Sequence, residues 1–238
     1  MYNFQGIISK GTNNALVQFE RFGMIAQNLS NVDTNGYKKQ TFEQILKEDG
    51  YLTGAVRTDY SQGSVRVTEN PFDVAIDGTG YIPVTSPSGE VQYTRDGSFK
   101  QGKGGYLVTS DGWIVGDGIK IPSNCMKFEI KKNGDVVSYD FHGDKPKKLG
   151  HIPLIRFDNP SGMETTDMNR VIATNEAGEG RLVKNHDCFK QGCLERANVS
   201  IYNTAMDMMR MNASMLASMQ VLKVADNMYN KAINIREA

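Results

Sequence analysis

The sequence predicts an α+β chain: N- and C-terminal α-helices, paired in coiled-coil fashion, flank a central all-β domain. Three observations carry this. All seven prolines fall within residues 71–160 and 20 of the 24 glycines within 50–192, so turn formers concentrate in the middle. After Gly192 the chain contains neither glycine nor proline. Apolar residues recur at alternating three- and four-residue steps near both ends, whereas the middle alternates with a period of two. The expected organisation is an N-terminal helix in 1–40, a connecting segment in 41–70, a β-rich domain in 71–190 and a C-terminal helix in 191–238.

At the N-terminal end Ile8, Ala15, Phe22 and Leu29 recur every seven residues, with Gly11, Gln18, Ile25 and Val32 three positions behind each. Residues 22–32 hold no charge, so no face of that stretch is marked for water. Gly11 and Gly23 each lower helix propensity by about 1 kcal/mol relative to alanine, but they also allow a neighbouring helix to approach closely. Asp33, Thr34, Asn35 and Gly36 predict the stop, with Gly36 free to turn left-handed.

The middle reads as short strands. Phe72, Val74 and Ile76 alternate with Asp73, Ala75 and Asp77 before a turn at Gly78 and Gly80. Tyr81, Ile82 and Val84 follow, with Pro83 predicting an edge strand. Further runs lie at 91–94, 105–109, 113–115, 126–130, 151–157 and 170–174, and Asn133-Gly134 predicts a hairpin turn. Turns every eight to twelve residues point to a sandwich or barrel-like domain.

The C-terminal stretch carries the clearest pattern: Met208, Met211, Met215, Ser218, Leu222, Ala225, Tyr229 and Ala232 form one seam, and residues 211–222 lack charge altogether. Seven of the twelve methionines lie in 206–228, the adaptable side chain expected where packing environments vary. Neither terminal helix can bury its stripe alone. Pairing the two ends, with association to neighbouring subunits, is the simplest remedy. Ala213, Ser214, Ala217 and Ser218 are small enough to permit close helix contact.

Charge and chemistry narrow the function. With 27 basic and 27 acidic residues the formal charge is zero, which argues against a nucleic-acid partner. No run of 18 apolar residues predicts a membrane span, and residues 1–11 lack the pattern of a cleaved secretory signal. Cys125, Cys188 and Cys193 form no CxxC pair and read as structural thiols, so no metal is expected. His142, His151 and His186 sit in separate polar stretches without a catalytic partner. Asp77, Asp96 and Asp111 each precede glycine and, with Asp73, read as turn carboxylates. No catalytic residue, cofactor or small-molecule substrate is expected.

Five segments, in order, bear a resemblance. Residues 26–38 read AQNLSNVDTNGYK, with Asn28, Asn31, Thr34, Gly36 and Tyr37 as the motif positions. Residues 72–81 read FDVAIDGTGY, with Asp73, Gly78 and Gly80; residues 93–99 read YTRDGSF, with Asp96 and Gly97. Residues 105–109 read GYLVT and are followed by Gly112, and residues 192–199 read GCLERANV, with Asn198. Together they resemble the bacterial flagellar rod and hook proteins, the axial proteins of the basal body. Ser30 stands where alanine is commoner, and Arg196-Ala197 where a small polar pair is usual.

The resemblance implies a rod subunit that polymerises through its terminal helices into a tube and transmits torque in motility. Its implied partners are further copies of itself, other axial rod proteins and the flagellar type III export machinery. Its implied place is the rod of the basal body in the periplasmic space, reached without a cleaved signal. The short stretch between Lys39 and Phe72 favours a proximal-rod type over a distal-rod or hook type. The assembly contacts are expected at Ile8, Ala15, Phe22, Ile25, Leu29, Met208, Met211, Met215, Leu222, Ala225 and Tyr229. The competing reading is a cell-wall-binding β domain, with Tyr81, Tyr93, Tyr106 and Trp113 stacking on sugars.

Overall fold

A computed structural model describes residues 4–123, 125, 127–139, 146–184 and 187–236. The chain is α+β, with two long helices and eighteen short strands among the described residues. It divides into two compact units. One draws on the chain up to Asn31, on Lys39–Asp59 and on the chain from Val199 onward; the other on Val32–Lys38 and Tyr60–Asn198.

The first unit contains helix α1 (Phe4–Ser30), strands β1 (Gln40–Leu46) and β2 (Leu52–Thr58), and helix α2 (Ile201–Arg236). The end of α1 is capped at one carbonyl: Gln27 O accepts from the Asn31 backbone N–H, the Ser30 hydroxyl and the Asn31 amide. Past the helix, Gly36 has φ +67°, the left-handed conformation expected of it. Ser200 starts α2, its hydroxyl accepting from Asn203 N–H at 3.3 Å.

The segment between the first motif and the β region contains a hairpin that periodicity did not reveal. Strands β1 and β2 pair antiparallel from Gln40↔Thr58 to Leu46↔Leu52, and Gly50 closes the turn at φ +81°. Two asparagines of α1 hold its backbone. Asn28 accepts from Gln40 N–H at 2.9 Å and donates to Gln40 O at 2.7 Å. Asn13 accepts from Leu52 N–H at 2.7 Å and donates to Leu52 O at 3.1 Å. Fifteen residues of helix separate the two asparagines, about 22 Å at 1.5 Å per residue. Seven residues of strand run about 20 Å. The lengths match, so the hairpin is fastened to α1 near both of its ends.

The second unit is built of strands, turns and two short 3-10 helices among its described residues. Its largest sheet is antiparallel, in the order Met163–Thr165, Arg170–Ala173, Val91–Thr94, Ile82–Thr85, Ile114–Val115, Leu107–Val108, Lys100–Gln101. Pro83 therefore lies in an interior strand, not the expected edge. Its neighbour strand is only two residues long and pairs Val84 and Thr85, so the missing N–H of Pro83 breaks no ladder bond there.

A second sheet orders Lys127–Ile130, Asp135–Tyr139 and Lys147–His151, the first two joined through the expected turn at Asn133 and Gly134. Short ladders join Val74–Ile76 to Phe189–Gln191 and Val65–Val67 to Cys193–Glu195. Val74, Ile76, Ile82, Val84, Leu107, Val115, Ile152 and Leu154 form a fully buried core, and Tyr81, Phe157, Met163 and Ala177 a second cluster.

Candidate assembly surface

The predicted seam of α2 lies on the side that meets α1. Ser218 Oγ accepts from the Asn14 amide at 3.3 Å, and a Cβ placed on Gly11 would stand 2.4 Å from Leu222 Cδ2. Rising numbers on α1 meet falling numbers on α2, so the helices run antiparallel. Gly11 is thus a notch that admits Leu222, which offsets its poor helix propensity. Met211 and Ile25 are 1% and 3% exposed; Met208, Met215, Leu222 and Ala225, with Ala15, Phe22 and Leu29, are half-buried. Ile8 and Tyr229 are exposed, and the side chain of Ala232 lies outside the described residues.

Helix α2 is apolar on more than this one side. At 3.6 residues per turn, Met209, Leu216 and Val224 fall opposite Met211, Met215 and Leu222. They are exposed, Leu216 at 62%, together with Met219, Val221 and Met228. Helix α1 exposes Leu16 and Phe19, and the hairpin exposes Leu46 and Val56. The uncharged stretch seen in the sequence therefore has two faces, one covered within the subunit and one uncovered. A monomer rarely exposes so much contiguous apolar side chain without a partner for it.

The motif residues converge on the second unit's interior. Glu195, 1% exposed, receives Lys38 Nζ at 2.6 Å and Gly63 N–H at 2.9 Å on one oxygen, and Arg95 Nε at 2.8 Å on the other. Arg95 also donates to the carbonyls of Gly78 and Gly80, both at 2.8 Å. Gly36 N–H donates to Glu195 O at 2.8 Å, and a Cβ on Gly36 would strike the Arg95 backbone at 2.8 Å. Tyr37 O accepts from Asn198 N–H, whose amide reaches Ser61. One buried carboxylate thus ties together the first, second, third and last motifs. Sequence reading quoted Lys38, Arg95 and Glu195 inside those motifs without assigning them a role, because a glutamate three residues before Asn198 looks like ordinary surface charge.

The remaining motif positions have local duties. Asp73 accepts from the Thr68 hydroxyl and the Asn70 amide, and Asp96 from the N–H and hydroxyl of Ser98. Gly97 approaches Val74 O so closely that a Cβ would lie 1.7 Å from it. Asn31 caps α1, and Thr34 O accepts from Tyr37 N–H.

The carboxylates considered for chemistry are dispersed by their partners. Burial pushes the Asp96 carboxyl up from its ordinary value, while the hydrogen bond and charge of Lys190 hold Asp77 down. At Asp111 burial pushes upward but the bonds from Thr109 and Arg170 outweigh it, leaving the group depressed. Lys148 chiefly, with His151 at 3.1 Å, holds Asp135 down. His142 and His186 lie outside the described residues. The four aromatic candidates are engaged: Tyr81 and Tyr93 pack edge-on to Phe157, Lys120 sits over Tyr106, and Arg170 covers Trp113 at 4.2 Å. Cys125, Cys188 and Cys193 are free thiols. No described helix is long and apolar enough to cross a membrane.

Residues 75–138 match the family model described as the flagellar hook protein FlgE/F/G D1 domain. The flagellar basal-body rod protein FlgG of Buchnera aphidicola subsp. Acyrthosiphon pisum is 31% identical over 237 residues, covering 87% of this chain and 91% of that protein. The FlgG of Borreliella burgdorferi is 30% identical over 244 residues, 89% of this chain and 91% of the relative. That of Caulobacter vibrioides is 28% identical over 243 residues, 90% and 92%. Similarity at 30–31% identity over 87–89% of this chain makes it a member of the flagellar basal-body rod and hook protein family.

Proposed function

We propose that this chain is a structural subunit of the bacterial flagellar rod, polymerising through its terminal helices into an axial tube that transmits torque. The observation that carries the reading is the uncovered apolar face of the first unit, Leu16 and Phe19 on α1 with Met209, Leu216 and Val224 on α2. In the rod this face packs against neighbouring subunits, and each Å² of apolar surface removed from water contributes about 25 cal/mol. The seam of Met208, Met211, Met215, Leu222 and Ala225 against Ala15, Phe22, Ile25 and Leu29 holds the two helices of a subunit together in coiled-coil fashion. Ile8 and Tyr229 extend the seam toward its rim. A contact whose rotation does not close on itself propagates as a helix, which is the geometry a tube requires.

The partners are further copies of the chain and other flagellar axial proteins, with delivery by the type III export machinery to the periplasmic part of the basal body. A proximal-rod position is favoured over a distal-rod or hook position, because the segment between the first motif and residue 72 holds one hairpin and no larger insertion. The function is mechanical, without turnover or cofactor.

The test replaces the chain in a motile bacterium by its Leu216→Glu variant. Export with loss of swimming and of completed rods is the expected result. Normal swimming by Leu216→Glu would overturn the reading.

A further inference from the structure

Met168, on the second unit, is both strained and uncovered. It lies in the short 3-10 turn Asp167–Asn169 at φ +56° and ψ +35°, and Asn169 follows at φ +55°. Asparagine tolerates this left-handed conformation; methionine is strained in it, because its Cβ crowds the following carbonyl oxygen. The turn is held there from both sides. Thr166 N–H donates to Arg170 O at 2.8 Å, the Asn169 amide to Asn35 O at 2.9 Å, and Arg170 Nε to Gln92 at 2.8 Å. Yet the strained side chain is 65% exposed, so contacts within the chain do not offset its strain. Val67, Val91 and Leu182 are also exposed apolar residues of this unit, but all three lie in paired strands, whereas Met168 projects from a turn.

The same unit holds an apolar cavity of about 560 Å³. Its lining includes Ile121 and the ring pair Phe72 and Phe128, with centroids 4.9 Å apart. At about 30 Å³ per water, the 560 Å³ is roughly nineteen waters, room for a methionine together with the residues beside it. An unbranched thioether adapts to such an irregular hole. Asp167, exposed beside Met168, has no ion pair among the described residues, and neither has Lys127 on the lining. Glu69 lies on that lining too, so an entering acid is steered to the Lys127 side.

Knob and hole belong to opposite edges of the seven-stranded sheet. The turn at Met168 joins the edge strand Met163–Thr165 to Arg170–Ala173, whereas Gln101, which lines the hole, lies in the other edge strand. Met168 is not part of the lining, so within one chain the knob stays exposed and the hole open.

We propose that Met168 of one copy enters the Phe72–Phe128 hole of a second copy of this chain, with Asp167 against Lys127. Two different patches meet, so the contact is heterologous and repeats head to tail. The inference rests on the rod-subunit reading and gives the second unit a contact of its own, beside that of the terminal helices.

Two measurements on the full chain test this. In sedimentation velocity across a concentration series, Met168→Asn is expected to weaken self-association about tenfold. Its melting temperature is expected to stay level or to rise by about 2–4 °C as the strain is relieved, a pairing of effects that a purely structural methionine would not give. Asp167→Lys is expected to weaken association as well, and Lys127→Asp in the same chain to recover it. Met168→Cys, oxidised with copper phenanthroline, is expected to yield covalent species longer than dimers, joined from position 168 to Cys125, which lines the hole. Cys125→Ser is expected to abolish that linked peptide. If Met168→Asn associates as wild type while Leu216→Glu does not, this contact is overturned and the rod-subunit reading stands. If Leu216→Glu associates as wild type, the assembly reading of the terminal helices fails. A linkage found only within one chain, a covalent series that ends at dimers, or a wild-type chain that stays monomeric at its highest soluble concentration would each overturn the head-to-tail contact.

Discussion

Lys38 and Glu195, 157 positions apart in the chain, meet as a buried ion pair with Nζ 2.6 Å from Oε1. Arg95 holds the other carboxylate oxygen at 2.8 Å, so removing the acid leaves two buried cations facing each other. Breaking such a pair from one side costs about 3–5 kcal/mol. Glu195→Gln is therefore expected to lower the melting temperature of the second unit by roughly 10 °C. Lys38→Met, which leaves the carboxylate bound to Arg95 and Gly63 N–H, is expected to cost less. Circular dichroism melts of the two variants decide this; equal losses would contradict the shared role of the carboxylate.

The amide of Asn28 gives a second prediction. Asn28→Ala removes both bonds to Gln40, and each backbone group left unpaired costs about 1–3 kcal/mol. Amide hydrogen exchange over residues 40–58 is expected to accelerate at least tenfold, while the core at Val74, Ile82 and Val84 keeps its protection. Asn28→Asp, which keeps only the acceptor, is expected to fall between.

At the helix contact, Gly11→Ala pits propensity against space. The substitution contributes about 1 kcal/mol of helix propensity, but its Cβ would press on Leu222 at 2.4 Å. We expect net destabilisation in the wild-type background and net stabilisation in Leu222→Ala, a sign change that a double-mutant cycle of melting temperatures reads directly. Met211→Ala, at a nearly sealed position, is expected to cost about 2–5 kcal/mol through the cavity it leaves.

Acid is expected to loosen the second unit. Asp77 and Asp135 have folded-state carboxyls held below their ordinary value chiefly by Lys190 and Lys148, and Asp111 is held down, against its burial, by Thr109 and then Arg170. The unfolded chain thus binds those protons more readily. Their stabilisation is complete above the ordinary aspartate range near pH 4 and is lost as pH falls through the depressed folded values. Asp96, raised by burial, works with the opposite sign: its contribution is greatest at acid pH and fades as pH climbs through its raised value. Three groups against one make the net trend a loss on acidification. Urea midpoints between pH 7 and pH 3 measure it, and Asp135→Asn is expected to flatten the slope.

Much of this architecture was legible from residue order. The spacing of Met208, Met211, Met215 and Leu222 marked the covered side of α2, and the absence of charge over 211–222 marked the helix as apolar on its other side as well. What periodicity missed was held by single polar atoms. The hairpin of β1 and β2 is fastened by the amides of Asn13 and Asn28, which read in sequence as ordinary helix polar residues. Pro83 was expected at an edge because composition reports the missing N–H but not the two-residue length of the neighbouring strand. Glu195 escaped notice for the same kind of reason: its partners Lys38 and Arg95 are 157 and 100 positions away.

The bridging carboxylate also sets a timetable. A polypeptide emerges from the ribosome from its first residue onward, so Lys38, Gly78, Gly80 and Arg95 are all present long before residue 195 arrives. Until then the carboxylate that joins Lys38 to Arg95 is missing, and the ladder that pairs Val65–Val67 with Cys193–Glu195 has only one of its strands. The second unit therefore lacks this tie while the strands of its largest sheet are being made. The tie is completed just ahead of the emergence of α2, so the uncovered apolar face of that helix is made only after Glu195 and its partners.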